Sequence, residues 1–286
     1  MSFAESKKEI LLRIDALKKE DNLDFAAHFM TLCALYAGIT LLAHAPKVSA
    51  LATASAIAFG LIHDYAITSR KKNLYTPDSD SFGDLVRDVH SVCQDLSIAP
   101  PPVLVDRTKR YANQTVDGIS NPEVILSEPI LTDMGPKQIF FICKHEIGHI
   151  VTQKNLKTSA LMFLRDCSVF TACALAWTST HLPEKKIYGA LTLLTALGTQ
   201  ALLNHYERNN ELRSDTFACL PDGDTEGYID TLHKFYDCPM PRFDRSVASL
   251  VDYTKGNKYL VGPKRVWAWI FSDHPTKYER IKNLEP

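Results

Sequence analysis

The chain has no excess of charge of either sign: 32 lysines and arginines against 33 aspartates and glutamates leave a net charge of −1 over 286 residues. The electrostatic footprint that nucleic-acid binding demands is therefore missing. Paired cysteines are missing too. The seven cysteines, at positions 33, 93, 143, 167, 173, 219 and 238, are odd in number, scattered and without a CxxC spacing. They read as reduced, small apolar residues of a protein that faces the cytosol or lies in a membrane. Internal repeats and low-complexity tracts are absent. The length suits one large domain or two modest ones.

Long apolar runs, by contrast, are abundant. Residues 25–45, 48–63, 167–183 and 187–206 carry no charge. A helix needs about 20 residues, and at least about 17, to cross the hydrocarbon core. The first and fourth runs suffice unaided. The second needs Asp64 at the interface, and the third needs Arg165 and Asp166 there. The runs pair into hairpins, joined at Pro46-Lys47 and Pro183-Glu-Lys-Lys186. Four buried helices of a soluble α-helical protein would account for the many Ala, Thr and Ser residues. Polar breaks at the ends of the runs rather than their middles favour two inserted hairpins. Lys7, Lys8, Arg13, Lys18 and Lys19 precede the first run, and Arg70, Lys71 and Lys72 follow the second. The hairpin tips hold only Lys47 in one and Lys185 and Lys186 in the other. The positive-inside bias thus places both termini, and all that lies outside the hairpins, in the cytoplasm. Ala43-His-Ala45 imitates a signal-peptide cleavage site, but 24 residues precede the run, too many for an n-region, and a second run follows at once.

The chemistry is announced by His145-Glu146-Ile147-Gly148-His149. Two histidines four apart on a helix share a face one turn apart, so both imidazoles reach one metal ion. The glutamate beside the first points toward the remaining coordination position, where it can serve as base to a water. Ile139, Phe140, Ile142, Cys143, Ile147 and Ile150 recur at helical spacing, and Pro136 after Gly135 marks the start of the helix. Cys143, although two residues from His145, falls on another face and is left out of the metal shell.

A catalytic zinc site needs a third protein ligand and an open position. Glu211 and Asp215, four apart in 207–218, share a helix face. Glu211 can coordinate the metal while Asp215 accepts a hydrogen bond from a ligand histidine, fixing its tautomer. Glu207, one turn earlier, competes as the ligand but sits against the fourth apolar run. An ordinary solvated charged face would also explain these carboxylates, were they not paired with HExxH.

HEIGH at 145–149, ELRSD at 211–215, and Asp273-His274-Pro275 leading to Arg280-Ile281 occur in that order. Together they resemble the HtpX-type membrane zinc metalloproteases, relatives of the CAAX prenyl endopeptidases. The resemblance covers most of the chain from about residue 100 onward. It implies one zinc per chain held by His145, His149 and Glu211, with Glu146 as base and Asp215 as partner of a ligand histidine. It also implies His274 and Arg280 as groups that steady the oxyanion or brace the site. Residues 113–118 fall on the family's NAxxxG segment, which leads into the strand beside the substrate, so Asn113 and Gly118 become substrate-binding candidates. Gln114 stands where the family has a small residue.

The expected fold is mainly α. It comprises a zincin-like (gluzincin) catalytic domain with a small β-sheet, plus two transmembrane helical hairpins. Residues 1–24 form an amphipathic cytoplasmic helix with Ile10, Leu11, Ile14 and Leu17 on one face. Residues 25–69 form the first hairpin and 70–158 the first part of the catalytic domain. Residues 159–206 form the second hairpin and 207–286 complete the site. Residues 80–96 read as helix. Residues 100–106 and 123–127 read as short strands with a loop between, one of which can offer an edge to an extended peptide. Trp267, Trp269 and Phe271 read as a core stripe. Glu211 follows the fourth run by about one turn, which puts the metal on the order of 10 Å from the membrane surface at 1.5 Å per residue.

The expected activity is endoproteolysis of membrane or misfolded proteins, in protein quality control at the cytoplasmic face of an integral membrane, the inner or plasma membrane in a bacterium. The expected partners are a protein or peptide substrate and the lipid bilayer, without nucleic acid. The alternatives are a zinc-binding membrane scaffold without proteolysis and a prenyl-protein endopeptidase.

Overall fold

A computed structural model describes residues 12, 25–43, 47–48, 50–58, 74–76, 79–107, 113–118, 121–152, 154–178, 184–219, 223–237 and 274–284. The amphipathic helix expected at 1–24 (Leu12 excepted), residues 59–63 of the second apolar run and the aromatic stripe at 267–271 lie outside them. The chain divides into two compact units: Leu17–Lys71 with Leu156–Tyr206, and Met1–Ala16 with Lys72–Asn155 and Glu207–Pro286.

In the unit of Lys72–Asn155 and Glu207–Pro286, strands β1 (Leu74–Tyr75), β2 (Val103–Asp106), β3 (Asn113–Gly118) and β4 (Asn121–Ser127) make one sheet in the order β1-β2-β4-β3. β2 and β4 are parallel, with Val103 opposite Val124 and Val105 opposite Leu126. β3 lies antiparallel to β4, Asn113 opposite Leu126 and Gly118 opposite Asn121. The sequence reading made 113–118 part of a loop, because Asn, Gln, Asp and Gly are poor strand formers. Pairing along β4 overrides that local preference, as neighbouring strands often do.

Helices α3 (Ser79–Asp95), α4 (Glu128–Asp133) and α5 (Pro136–Val151) pack with this sheet. Val89 and Cys93 of α3, Val103, Val124 and Leu126 of the sheet, Ile130 of α4, and Ile139, Ile142, Cys143 and Ile147 of α5 form one buried core. The start of α5 is set by Pro136, whose missing N–H costs nothing in the first turn. Gln138 Oε1 reinforces it by accepting from the Gly135 backbone N–H at 3.0 Å. α8 (Thr225–Asp237) and α9 (Lys277–Leu284) pack together. Thr276 caps α9: its hydroxyl accepts from the Glu279 N–H at 3.1 Å, and Glu279 Oε2 accepts from the Thr276 N–H at 2.7 Å. This reciprocal cap fixes where the helix starts and so where Arg280 points.

The unit of Leu17–Lys71 and Leu156–Tyr206 is helical throughout its described residues: α1 (Phe25–Leu42), α2 (50–58), most of α6 (Lys154–Thr178) and the first part of α7 (Glu184–Ala218). Among the described residues, two helices are long and apolar enough to cross a membrane, at Phe25–Leu42 and Lys157–Trp177. The second starts earlier than the run at 167–183 and contains Arg165 and Asp166. Their charges are accommodated inside the helix pair: Arg165 donates to Asp166 Oδ1 and to Gln200 Oε1, both at 2.8 Å, and Gln200 Nε2 donates to Asn204 Oδ1 at 2.8 Å. Tyr36 and Thr171 share a hydroxyl bond of 2.8 Å.

The surface of this unit is apolar. Every large hydrophobic residue exposed among the described ones, apart from Leu12 and Tyr278, belongs to it; examples are Leu41 at 72%, Leu194 at 62% and Trp177 at 84% exposed. Water-soluble domains rarely gather so much apolar surface. α7 is one uninterrupted helix of 35 residues, so the fourth apolar run and the Glu211–Asp215 segment share a single element.

Candidate active site

α5 turns one face to the core and an adjoining strip to a polar interior, where Lys144, His145, Glu146 and His149 are all buried. His145 and His149 stand one turn apart with ring centroids 4.7 Å apart, edge to face. Donor atoms of His145, Glu146 and His149 lie within 4.8 Å of one another. α7 crosses α5 closely because residue 148 is glycine: a Cβ there would sit 2.9 Å from Ser214 Cα, a backbone atom that cannot swing aside.

That close crossing delivers Glu211. One of its oxygens lies 3.3 Å from His145 Nε2 and the other 3.2 Å from His149 Nε2. Glu207 is buried one turn earlier, but Glu211 is the carboxylate that meets both imidazoles. The other ring nitrogens are engaged elsewhere. His149 Nδ1 is 2.9 Å from Ser214 Oγ, and His145 Nδ1 is 3.0 Å from Asp215 Oδ1. With Nδ1 donating to an oxygen in each case, the neutral imidazoles that a metal requires have their Nε2 lone pairs on the Glu211 side; in the metal-free protein His145 instead donates its Nε2–H to Glu211. Two imidazole nitrogens and a carboxylate, oriented by outer partners, are a donor set suited to a divalent metal.

Asp215 is the hub of the outer layer. Arg280 Nε donates to its Oδ2 at 2.7 Å, and Arg280 Nη2 donates to Oδ1. Tyr228 also donates to Oδ1, at 2.6 Å. Arg280 Nη1 reaches Tyr236 Oη at 3.2 Å and lies 4.0 Å from Glu211 Oε2.

Burial opposes ionisation of Asp215, yet the charge and hydrogen bonds of Arg280 outweigh it and hold the carboxyl below its ordinary range. Burial likewise disfavours a charged His145, but hydrogen bonds to Asp215 and Glu211 and their charges prevail, lifting the metal-free imidazole to about 9. Burial, followed by the charge of Glu146, pushes the Cys143 thiol upward, which suits an inert thiol rather than a metal ligand.

The structure thus gathers His145, Glu146, His149, Glu211, Asp215 and Arg280. His274 stands exposed ahead of α9. Asn113 and Gly118 occupy the two ends of edge strand β3, and that strand runs beside α5. Sequence reasoning missed Ser214, Tyr228 and Tyr236. A signal existed for the tyrosines: Tyr228, Leu232 and Tyr236 form an i, i+4, i+8 stripe on amphipathic α8, and a buried phenol needs a partner for its hydroxyl. Ser214 is a small residue three after Glu211, opposite Gly148.

Residues 79–286 match peptidase family M48. The chain belongs to that family. M48 peptidases are metal-dependent, and His145, Glu146 and His149 form a group that could bind a metal ion. The HtpX-type resemblance is a likeness within the same family. No curated protein matches the chain. Its fold is similar to that in a crystal structure of Ste24p from S. mikatae, with a TM-score of 0.52 and 15% sequence identity over 96% of this chain. The M48 chain spans 66% of that protein's length.

Proposed function

We propose that this M48 peptidase is a zinc-dependent endopeptidase of a membrane, which hydrolyses peptide bonds in membrane-bound or misfolded proteins. The observation that carries the reading is the convergence of His145 Nε2 and His149 Nε2 on the two oxygens of Glu211. In this reading those three residues hold one zinc ion. When bound, zinc supplies a Lewis acid for the scissile carbonyl and makes an attacking water more acidic.

The chain's own residues do the rest. Glu146, buried beside His145, takes the proton of the attacking water and passes it to the leaving amine. Asp215 keeps the proton of His145 on Nδ1, and Arg280 braces Asp215. His274 is the hydrogen-bond donor to the oxyanion. Edge strand β3, between Asn113 and Gly118, pairs with the extended substrate through backbone hydrogen bonds.

The apolar exposed surface of α1, α6 and α7 supports a bilayer around their unit. The lysine and arginine distribution supports two hairpins, with both termini and the catalytic part in the cytoplasm. A zinc-binding scaffold would have no use for a buried base at Glu146.

The test is cleavage of an unfolded model protein, and of a prenylated peptide in parallel, by detergent-purified protein and its Glu146→Gln variant, with zinc measured in both. Zinc near one per chain in each, with cleavage only by the unsubstituted chain, is the expected result. Equal cleavage by the two, or stoichiometric zinc with cleavage by neither, overturns the reading.

A further inference from the structure

We infer that Tyr228 is a positioning residue for His145, fixing through its hydroxyl which imidazole nitrogen is offered to the metal; this rests on the zinc reading above. A phenol has one proton to give and lone pairs with which to accept. Tyr228 gives its proton to Asp215 Oδ1 at 2.6 Å. Its oxygen therefore faces His145 Nδ1, 3.2 Å away, as an acceptor, and it also accepts from Arg280 Nη2 at 3.3 Å. The Nδ1–H of His145 meets two acceptors, Asp215 Oδ1 at 3.0 Å and the Tyr228 oxygen. Both demand a proton on Nδ1, so the proton that a bound metal displaces is the one on Nε2, which faces Glu211. The ring is 2% exposed and lies against Phe141 at 5.6 Å between centroids. The hydroxyl is thus held in the cluster by packing on its own side, and α8 contributes to the site although it carries no metal ligand.

Tyr236 supplies the control. It is also buried on α8, and its hydroxyl bonds to Arg280 Nη1 rather than to Asp215 or His145. A structural phenol at either place would lower the melting temperature when replaced by phenylalanine. A positioning phenol at 228 alone would loosen the metal.

The experiment measures zinc affinity by chelator competition, and melting of the metal-free form, for the unsubstituted protein, Tyr228→Phe and Tyr236→Phe. Loss of an outer partner of a metal-bound histidine costs about 10- to 100-fold in affinity. Tyr228→Phe is expected to weaken zinc binding by about tenfold or more, and Tyr236→Phe by less than about threefold, with comparable melting temperatures. Affinity of Tyr228→Phe within about twofold of the unsubstituted protein, or losses that simply follow the melting temperatures of the two variants, would overturn the inference.

Should Tyr228→Phe not fold, ζ-¹³C-tyrosine labelling of the unsubstituted protein puts the same question. The Tyr228 signal must then shift on zinc loading, and an unmoved signal refutes the inference. A wild-type protein that binds no zinc brings down the zinc reading itself, which these outcomes keep separate from a failure at Tyr228.

Discussion

Replacing Gly148 by alanine separates the stability of the fold from the geometry of the site. The added methyl would sit 2.9 Å from Ser214 Cα, 3.0 Å from its Oγ and 3.1 Å from its Cβ. Carbon atoms rest at about 3.5–4.0 Å, so α5 and α7 must part by roughly half an ångström or more. Such overpacking costs about 1–3 kcal/mol. The change also removes a glycine from a helix interior, which returns about 1 kcal/mol. The net loss of stability is therefore small, roughly 0–2 kcal/mol. The site is far less tolerant, because metal–ligand distances hold to about ±0.2 Å. Glu211 is carried by the same stretch of α7 as Ser214, so its separation from His145 and His149 changes with the helix spacing. Gly148→Ala is expected to weaken zinc binding by about tenfold or more while the metal-free protein still melts cooperatively. Gly83 on α3 has open space where its Cβ would be. Gly83→Ala should raise stability by about 0.5–1 kcal/mol and leave zinc affinity alone. Chelator competition and thermal melts of the two variants decide the matter. Zinc affinity of Gly148→Ala within about twofold of the unsubstituted protein would refute the argument that this glycine sets the ligand spacing.

The imidazole of metal-free His145, raised to about 9, carries its proton at pH 7, whereas the metal requires it neutral. Zinc binding at pH 7 should therefore release about one proton from this residue, and affinity should climb toward pH 9 by up to about tenfold per unit before levelling off; calorimetry in two buffers of different ionisation enthalpy reads the proton directly. Arg280→Ala leaves Asp215 buried without its cation and should cost about 3–5 kcal/mol in a denaturant or thermal melt. The Asp215 carboxyl is held low by Arg280, so its contribution is present above the ordinary carboxylate value and disappears only as pH falls through the depressed one. The difference between Arg280→Ala and the unsubstituted protein should accordingly be full at neutral pH and shrink in strong acid. Leu194 is 62% exposed on α7, where a soluble protein would tolerate a charge. In a bilayer, Leu194→Asp should cost about 2.5–3.5 kcal/mol of insertion and move protein from the carbonate-resistant membrane fraction to aggregates; an unchanged fraction counts against the membrane reading of that face.

Local spacing made the central helix legible. Ile139, Ile142, Cys143 and Ile147 recur at helical intervals, and the structure buries them in one core, leaving His145 and His149 on the adjoining strip. The i, i+4 relation of Glu211 and Asp215 was equally readable because it depends on α7 alone. What could not be read was anything set by a crossing between elements. Ser214 faces His149 only because Gly148 admits α7, and Tyr228 reaches Asp215 only because α8 folds back beside α5. β3 is a strand through its partner β4, against its own composition. The extent of α6 escaped because Arg165 counted as a charge to be kept at an interface, whereas Asp166 and Gln200 satisfy it inside the helix pair. Arg280 was legible as a cation near the site. That it grips Asp215 depends on the cap formed by Thr276 and Glu279, which orients α9.

Zinc K-edge X-ray absorption of the purified, unsubstituted protein carrying one equivalent of zinc tests the ligand set most directly. Coordination by His145, His149 and Glu211 predicts a first shell of nitrogen and oxygen alone at about 2.0–2.2 Å, with the outer-shell scattering of two imidazoles. Sulfur at about 2.3 Å, or the absence of imidazole scattering, would contradict the account.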